Sequence, residues 1–436
     1  MPIGRIVVAL VVSIVSTVGT AGNACAQEAQ PDATTQTTEG SKNSSRASGT
    51  SRTPYRLGFD QANAVPVVHA TDIAASQGPG NSSTTTSEGQ TATKRGQIVG
   101  VPIPISSPFL GSGLGLLGAY VFCFNQKDTV SPSSVIGGGG FYTSSSSWAL
   151  LGFSRLYLKQ DHYRLTFAIG KGEVNYNLYG IGNAAGASGQ SVPLQQSGRA
   201  VFVEGLRRLK WNFLLGPRYQ VRSVEANLAN PNDTPPPGIT LPPRNHTQQT
   251  AALGIRLQND SRNSVFYPTG GGLFDFVVDA FRPGVGSDRN YEHFQFAYNG
   301  YPSISATQVL AYRIYGCAVA DNGNALSDRV PFYDYCLLGM DNDIRGYSTG
   351  RYRDRLMLTA QAEYRRQLSK RFGVVAFFGI GEVAPDFGSF NSKNILPAGG
   401  TGLRYMVDKK DHINIRVDYA VGKDGGAYYV GLNEAF

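Results

Sequence analysis

From about Gln97 onward the chain keeps alternating apolar and polar residues, and the polar positions are rich in arginine. In His412 to Tyr419, Ile413, Ile415, Val417 and Tyr419 alternate with His412, Asn414, Arg416 and Asp418. Tyr163 to Ile169 interleaves Arg164 and Thr166, Phe213 to Arg222 carries Arg218, Gln220 and Arg222, and Leu253 to Leu257 encloses Arg256. Leu356 to Arg365 places Met357, Thr359, Gln361, Glu363 and Arg365 on a single face. A period of two is the mark of a strand with two unlike faces. In a soluble sandwich the charged face would lie in the core, where each unpaired charge costs several kcal/mol. The arrangement that accepts it has lipid outside and water inside: an all-β, transmembrane antiparallel β-barrel. Composition agrees, with 53 Gly, 23 Tyr and 22 Phe but only 16% charged residues. No internal apolar window approaches the roughly 18 residues of a membrane-crossing helix.

About fifteen such runs lie between Gly113 and Phe436. A bacterial single-chain barrel needs an even number, so sixteen is the nearest answer, with Asp161 to Gly182 suspected of hiding two strands in one. Pro231 to Asn245 reads as an extended loop, and Cys317 to Arg353 holds the longest connection. Met1 to Ala26 reads as a signal peptide, with Arg5, the apolar Ile6 to Val18 and an Ala24-Cys25-Ala26 cleavage site, and after its removal a barrel of this kind is expected in the bacterial outer membrane. Acylation at Cys25 is the alternative, poorly served by Gly22-Asn23-Ala24. Residues 27–98, Ser-, Thr- and Gly-rich with few aromatics, form a disordered arm, and residues 99–436 form the barrel, its long loop at about 318–353.

The net charge of +8 is scattered singly along the strands, which argues against nucleic acid as a partner and is compatible with outer-membrane lipid and lipopolysaccharide or a polyanionic solute. Cys317 and Cys336 flank the base of the long loop and are expected to pair in an oxidising compartment, leaving Cys123 over. Five dispersed His offer no metal spacing, and no nucleophile elbow is present, so neither a metal or other cofactor nor an enzyme activity is expected.

Within the long loop, Ile344-Arg345-Gly346-Tyr347 resembles the [V/I]RG[F/Y] signature of loop 6 in the Omp85 (surface antigen D15) superfamily of outer-membrane assembly and translocation barrels. Asp260 to Gly271, DSRNSVFYPTGG, resembles that family's D-x-R-x-x-x-x-Y-P-T-x-G turn, and Ala427 to Phe436 is similar to the C-terminal barrel signal, with Tyr428, Val430, Leu432 and Phe436 on one face. The resemblance implies that loop 6 folds into the lumen and that Arg345 pairs with Glu363. The family's second acid, in an F-x-D-x-G pattern, is replaced here by Gly379, which leaves Arg345 one carboxylate instead of two. Glu434 falls on the apolar face of the barrel signal, an uncomfortable place near a strand end, and Gly431 faces the other way. The POTRA domains that usually precede such barrels find no counterpart in Gln27 to Arg95. Insertion or translocation of polypeptides is the function implied, with an unfolded client or a periplasmic accessory protein as partner and a seam between Gly113–Phe124 and Tyr428–Phe436. The alternative is a passive channel, or a surface antigen in which loop 6 is only a plug. A weakly paired seam favours the first, and a fully paired seam around an open lumen the second.

Overall fold

The computed structural model describes residues 96–107, 109–125, 128, 130–321, 323, 329–339, 343–409 and 412–436. The expected signal peptide, the acylation alternative at Cys25, most of the arm and the question of POTRA domains all lie outside the described residues.

Strands β1 (Gly96–Ser107), β2 (Gly111–Phe122), β3 (Ser134–Thr143), β4 (Trp148–Leu158), β5 (Tyr163–Tyr179), β6 (Ser191–Arg208), β7 (Phe213–Leu228), β8 (Gln248–Asp260) and β9 (Gly272–Phe281) form the first half of the wall. The second half is β10 (Tyr291–Gly300), the stub β11 (Ser303–Ser305), β12 (Gln308–Asp321), β15 (Leu356–Gln367), β16 (Phe372–Ala384), β17 (Leu396–Asp408), β18 (Ile413–Gly422) and β19 (Gly425–Leu432). Two-residue strands β13 (Cys336–Leu337) and β14 (Arg353–Asp354) pair with each other inside the long loop. All the others belong to a single antiparallel sheet of 17 strands, β11 being only a three-residue piece beside β12.

The alternation becomes an inside and an outside. Leu165, Phe167 and Ile169 are exposed on the outer face of β5, while Arg164, Thr166 and Ala168 are buried between them. Ile415, Val417 and Tyr419 face out of β18, while Asn414, Arg416 and Asp418 face in. The outer face is apolar, as a hydrocarbon environment requires. The inner face is polar yet shielded from solvent, because the lumen is filled.

Two details of the sequence reading change. Asp161 to Gly182 hides no second strand: β5 is a single strand of 17 residues, continuous with an 18-residue β6 beyond the usual crossing length. The additional strand is β1, which begins at Gly96, before the expected domain boundary at residue 99, and displaces Gly113–Phe124 from the seam. The first strand therefore runs from Gly96 to Ser107 and the last from Gly425 to Leu432. β1 pairs with β2 along its whole length, from Gly96 opposite Phe122 to Ser107 opposite Gly111. Against β19 it makes one registered pair, Ser106 opposite Val430.

The two longest connections, 229–247 and 322–355, lie at one rim, together with 180–190 and 385–395. Tight turns such as 159–162, 209–212 and 368–371 lie at the other. The six-residue helix α1 (Asn183–Ser188) caps the 180–190 connection, where Asn183 Nδ2 donates to the Val383 carbonyl across the mouth at 2.5 Å.

Candidate functional site: a buried arginine and an incomplete seam

The loop between β12 and β15 is tied down in three places. At its base Cys336 is bonded to Cys317 of β12, with Cα atoms 5.7 Å apart, and the β13–β14 pair closes the neck. On the far wall Asp334 accepts two hydrogen bonds from Arg222 of β7, at 2.9 and 2.7 Å, and a third from the Tyr291 hydroxyl of β10. Fully buried bidentate contact of this kind fixes orientation as well as distance. The third tie is the motif. No cysteine among the described residues is free, so Cys123 is not the leftover thiol the sequence suggested.

Each residue of Ile344-Arg345-Gly346-Tyr347 meets the wall formed by β15 to β19. Ile344 is buried beside Leu338, and both pack over Gly381 of β16, where an added Cβ would come within 2.8 Å of each. Arg345, 2% exposed, places Nη2 2.5 Å from Glu363 of β15 and Nη1 2.5 Å from Asp418 of β18. Its guanidinium lies 3.5 Å from the centroid of the Phe377 ring on β16. Gly346 adopts φ +113°, its N–H donates to the Tyr429 hydroxyl at 2.8 Å, and a side chain there would meet the backbone of Val421 and Gly422 at 3.0 Å. Tyr347 donates to the Pro397 carbonyl and accepts from the Lys423 amide. The spacing is thereby explained: an apolar wedge, a cation for two acids, a residue able to turn against backbone, and a ring that ends on the next strands. Glu363 lies seven residues, about 23 Å of extended chain, along β15 from its loop end, so the tip reaches deep into the lumen.

The expected loss of one carboxylate is corrected here. Gly379 faces inward beside Gln361, and no acid stands there, but Asp418 supplies the second carboxylate from a different strand. Its signal was present in the alternation that turned Asp418 inward; what the sequence could not show was that β18 and β15 converge on one guanidinium.

Around this contact lies an ion network. Arg365 Nε is 2.8 Å from Glu363, Arg404 Nη1 is 2.5 Å from Asp418, and Arg416 Nη1 is 3.2 Å from Asp418. Arg404 also donates to Glu434 at 2.7 Å, and Asn414 donates to the same carboxylate at 2.9 Å. Glu434 is thus not a misplaced residue on an apolar face. β19 ends at Leu432, Asn433 adopts φ +59°, and residues 433–436 turn into the lumen. Phe436 goes with them, 7% exposed, packing with Tyr301, Val309 and Ala311 while its main-chain oxygen accepts from Arg365 at 2.9 Å. Of the expected barrel signal, Tyr428 (69% exposed) and Val430 (39% exposed) face outward, Phe436 does not, and the Leu432 side chain lies outside the described residues. Gly431 makes room inside: a Cβ there would stand 3.1 Å from Arg416 Nε.

The D-x-R turn has its own logic. Asp260 and Arg262 form a buried bidentate pair at 3.0 and 2.9 Å, the Asn263 side chain accepts from the Thr269 and Gly270 amides, and Gly271 takes φ +79° against the Ser261 carbonyl. At the loop neck, burial lowers the Arg353 pKa, burial raises the Asp354 carboxyl, and burial with a hydrogen bond to Asp424 raises Tyr352. His293 Nε2 lies 3.5 Å from Cys317 Sγ, but that sulfur and its neighbour Cys336 are spent on each other.

An apolar exterior, a polar lumen filled by a long loop and an incompletely paired seam define a loop-plugged transmembrane β-barrel. The Omp85 superfamily domain matches residues 135–426, and the chain belongs to that superfamily. Among solved structures it resembles BamA from Haemophilus ducreyi lacking POTRA domains 1-3, at 15% identity and a TM-score of 0.52, over 78% of this chain and 70% of that one. CdiB from Escherichia coli is similar at 11% identity and a TM-score of 0.51, over 85% and 67%. These likenesses establish the fold, and the protein is an Omp85-type outer-membrane barrel. No curated protein matches.

Proposed function

We propose that this barrel inserts polypeptides into the outer membrane by admitting them at the seam between β1 and β19. One observation carries the reading: those strands share a single registered pair, Ser106 with Val430, while every other neighbouring pair of long strands is laddered over most of its length. Lipid cannot satisfy the remaining backbone groups, and each group left without a partner in hydrocarbon costs several kcal/mol, so the seam favours another strand. The filled lumen favours insertion at the seam over threading through the pore, and it counts against the passive-channel reading, since Arg222, Arg345, Arg365 and Arg416 are all fully buried inside. Opening requires little: one or two net hydrogen bonds at roughly 1 kcal/mol each.

The test is reconstitution of the pure protein in liposomes with a urea-unfolded outer-membrane barrel protein as client. Faster appearance of protease-resistant client than in empty liposomes supports the reading. Ion conductance with no acceleration would sink it in favour of the channel.

A further inference from the structure

On the outward face of the β5–β6 wall two cations stand side by side. Lys171 of β5 is directly opposite Arg199 of β6, and both side chains are exposed. Directly opposed side chains on neighbouring strands have Cβ atoms about 4.5–5.5 Å apart, and like charges in that position repel. Inside the barrel a pair of this kind is balanced by the protein itself: Arg404 of β17 is opposite Arg416 of β18, and Asp418 lies 2.5 Å from the first and 3.2 Å from the second. Outside, the balance is missing. The nearest outward-facing acids along the ladder, Glu173 of β5 and Glu225 of β7, accept from the side-chain amides of Gln195 and Asn227 at 2.8 and 2.9 Å. Among the described residues neither Lys171 nor Arg199 has an ion pair, and the one side-chain hydrogen bond of Arg199 is a 3.5 Å contact with the Ser223 hydroxyl.

Their depth in the membrane follows from the strand. Tyr163 begins the outward face of β5 beside the tight 159–162 turn, and Lys171 is eight residues farther on. At 3.4 Å per residue that is about 27 Å of strand, or roughly 20 Å along the membrane normal at a tilt of 35–45°, against an apolar band about 25 Å tall. The pair therefore stands where hydrocarbon gives way to headgroups, on the side of the long loops, which is the outer leaflet of such a membrane. The neighbours change at the same level. Phe167, Ile169 and Val201 lie on the hydrocarbon side of the pair, and Asn175, Asn177 and Gln195 beyond it. β5 and β6 stay paired as far as Tyr179 opposite Ser191, so the hairpin rises roughly another 20 Å into the headgroup layer.

We propose that Lys171 and Arg199 bind the phosphate of a lipopolysaccharide in the outer leaflet, with its acyl chains against Phe167, Ile169 and Val201 and its sugars beside Asn175, Asn177 and Gln195. A phosphate carried on an acylated sugar presents apolar chains, anion and hydroxyls in that order along the normal, the order in which the strand presents its partners. An ammonium and a guanidinium converging on one phosphate make charge-assisted hydrogen bonds and cancel the repulsion between them. The inference is independent of the insertion reading, since it requires only that the apolar face lie in the membrane.

Lipid binding to the full-length protein in zwitterionic micelles, followed by native mass spectrometry, tests it with four probes: lipid A, dephosphorylated lipid A, phosphatidylglycerol and inorganic phosphate. Lipid A is expected to bind the parent about tenfold more tightly than K171Q/R199Q, the difference that one to two charge-assisted hydrogen bonds make, and to bind R207Q, altered at the opposite end of the same face, as tightly as the parent. Equal binding by the parent and K171Q/R199Q, or a preference for the parent that survives removal of the phosphates, overturns the proposal. Phosphatidylglycerol bound as tightly as lipid A overturns the assignment to lipopolysaccharide, and displacement of lipid A by equimolar inorganic phosphate reduces the site to an adventitious ion only. Heat stability on semi-native gels gives a second readout. Without lipid A, K171Q/R199Q should be at least as stable as the parent, because a repulsion has been removed; adding lipid A should raise the unfolding temperature of the parent and not of the variant. A variant less stable than the parent without lipid A would mean that the two cations serve the fold itself and not a ligand.

Discussion

The wall between β5 and β6 and the seam between β1 and β19 are built from the same kind of strand, yet one is paired along all seventeen residues of β5 and the other at one position. The β5–β6 wall holds itself together through its own ladder. The seam is held from inside: Arg345 bridges β15 and β18, Gly346 bonds to Tyr429 of β19, and Arg404 joins Asp418 to Glu434 just beyond the last strand. Where lateral hydrogen bonds are few, side chains in the lumen set the position of the last strand. The wall is therefore held by its ladders, while the position of the seam is set by one buried cluster.

The sharpest way to break the contrast is covalent. An S106C/V430C disulfide locks the seam, and insertion in liposomes is expected to fall to the rate of empty vesicles; an A168C/F202C disulfide across β5 and β6, also directly opposite residues, should leave insertion unchanged. Equal loss in both would show that the seam is not special.

Next in size is Arg345→Ala. It removes two buried charge-assisted hydrogen bonds, to Glu363 and Asp418, while Arg365, Arg404 and Arg416 still hold those carboxylates; at roughly 1.5–3 kcal/mol each the loss is about 3–5 kcal/mol. The folded barrel should then convert to the unfolded form at lower temperature on semi-native gels, with Arg345→Lys recovering only part, because an ammonium cannot fork between Glu363 and Asp418. Exchanging the charges, R345E with E363R, should not restore the contact, since Asp418 would face the new acid and Arg365 the new base.

Asp418→Asn should cost about 2–3 kcal/mol by the same measurement, less than loss of Arg345, because the amide oxygen still accepts from the arginines around it and Glu363 still pairs with Arg345. A variant indistinguishable from the parent would remove Asp418 from the lock. The smallest effect is expected from Glu434→Gln, about 1–2 kcal/mol, since an amide still accepts from Arg404 and Asn414. Its readout is local: amide exchange at Gly431 and Leu432 should quicken while β5 and β6 stay protected, and uniform quickening would contradict the division between wall and seam.

Much of this was legible beforehand because strands with one face in lipid and one in a polar lumen write their orientation in every second residue. About fifteen strands, the inward arginines, the inward-facing Glu363 and the long loop could be read in this way, and Arg345 as the partner of Glu363 was legible through the resemblance of the loop 6 motif. β1 escaped notice because Pro102 and Pro104 break the run and it carries no charge on its inner face. Phe436 was misplaced because alternation was carried on past Leu432, where Asn433 ends it with a left-handed turn that Glu434 and Arg404 hold in place.

The sequence by itself determined which faces are apolar, how the strands follow one another and that one arginine is delivered by a loop, all properties of local pattern. Only the tertiary structure decided which acids receive that arginine, because Glu363 and Asp418 are fifty-five residues apart and meet only when β15 and β18 curve around the same lumen. It also decided where the barrel is weak, since a seam is a relation between the first strand and the last, and no stretch of either one contains the other's register.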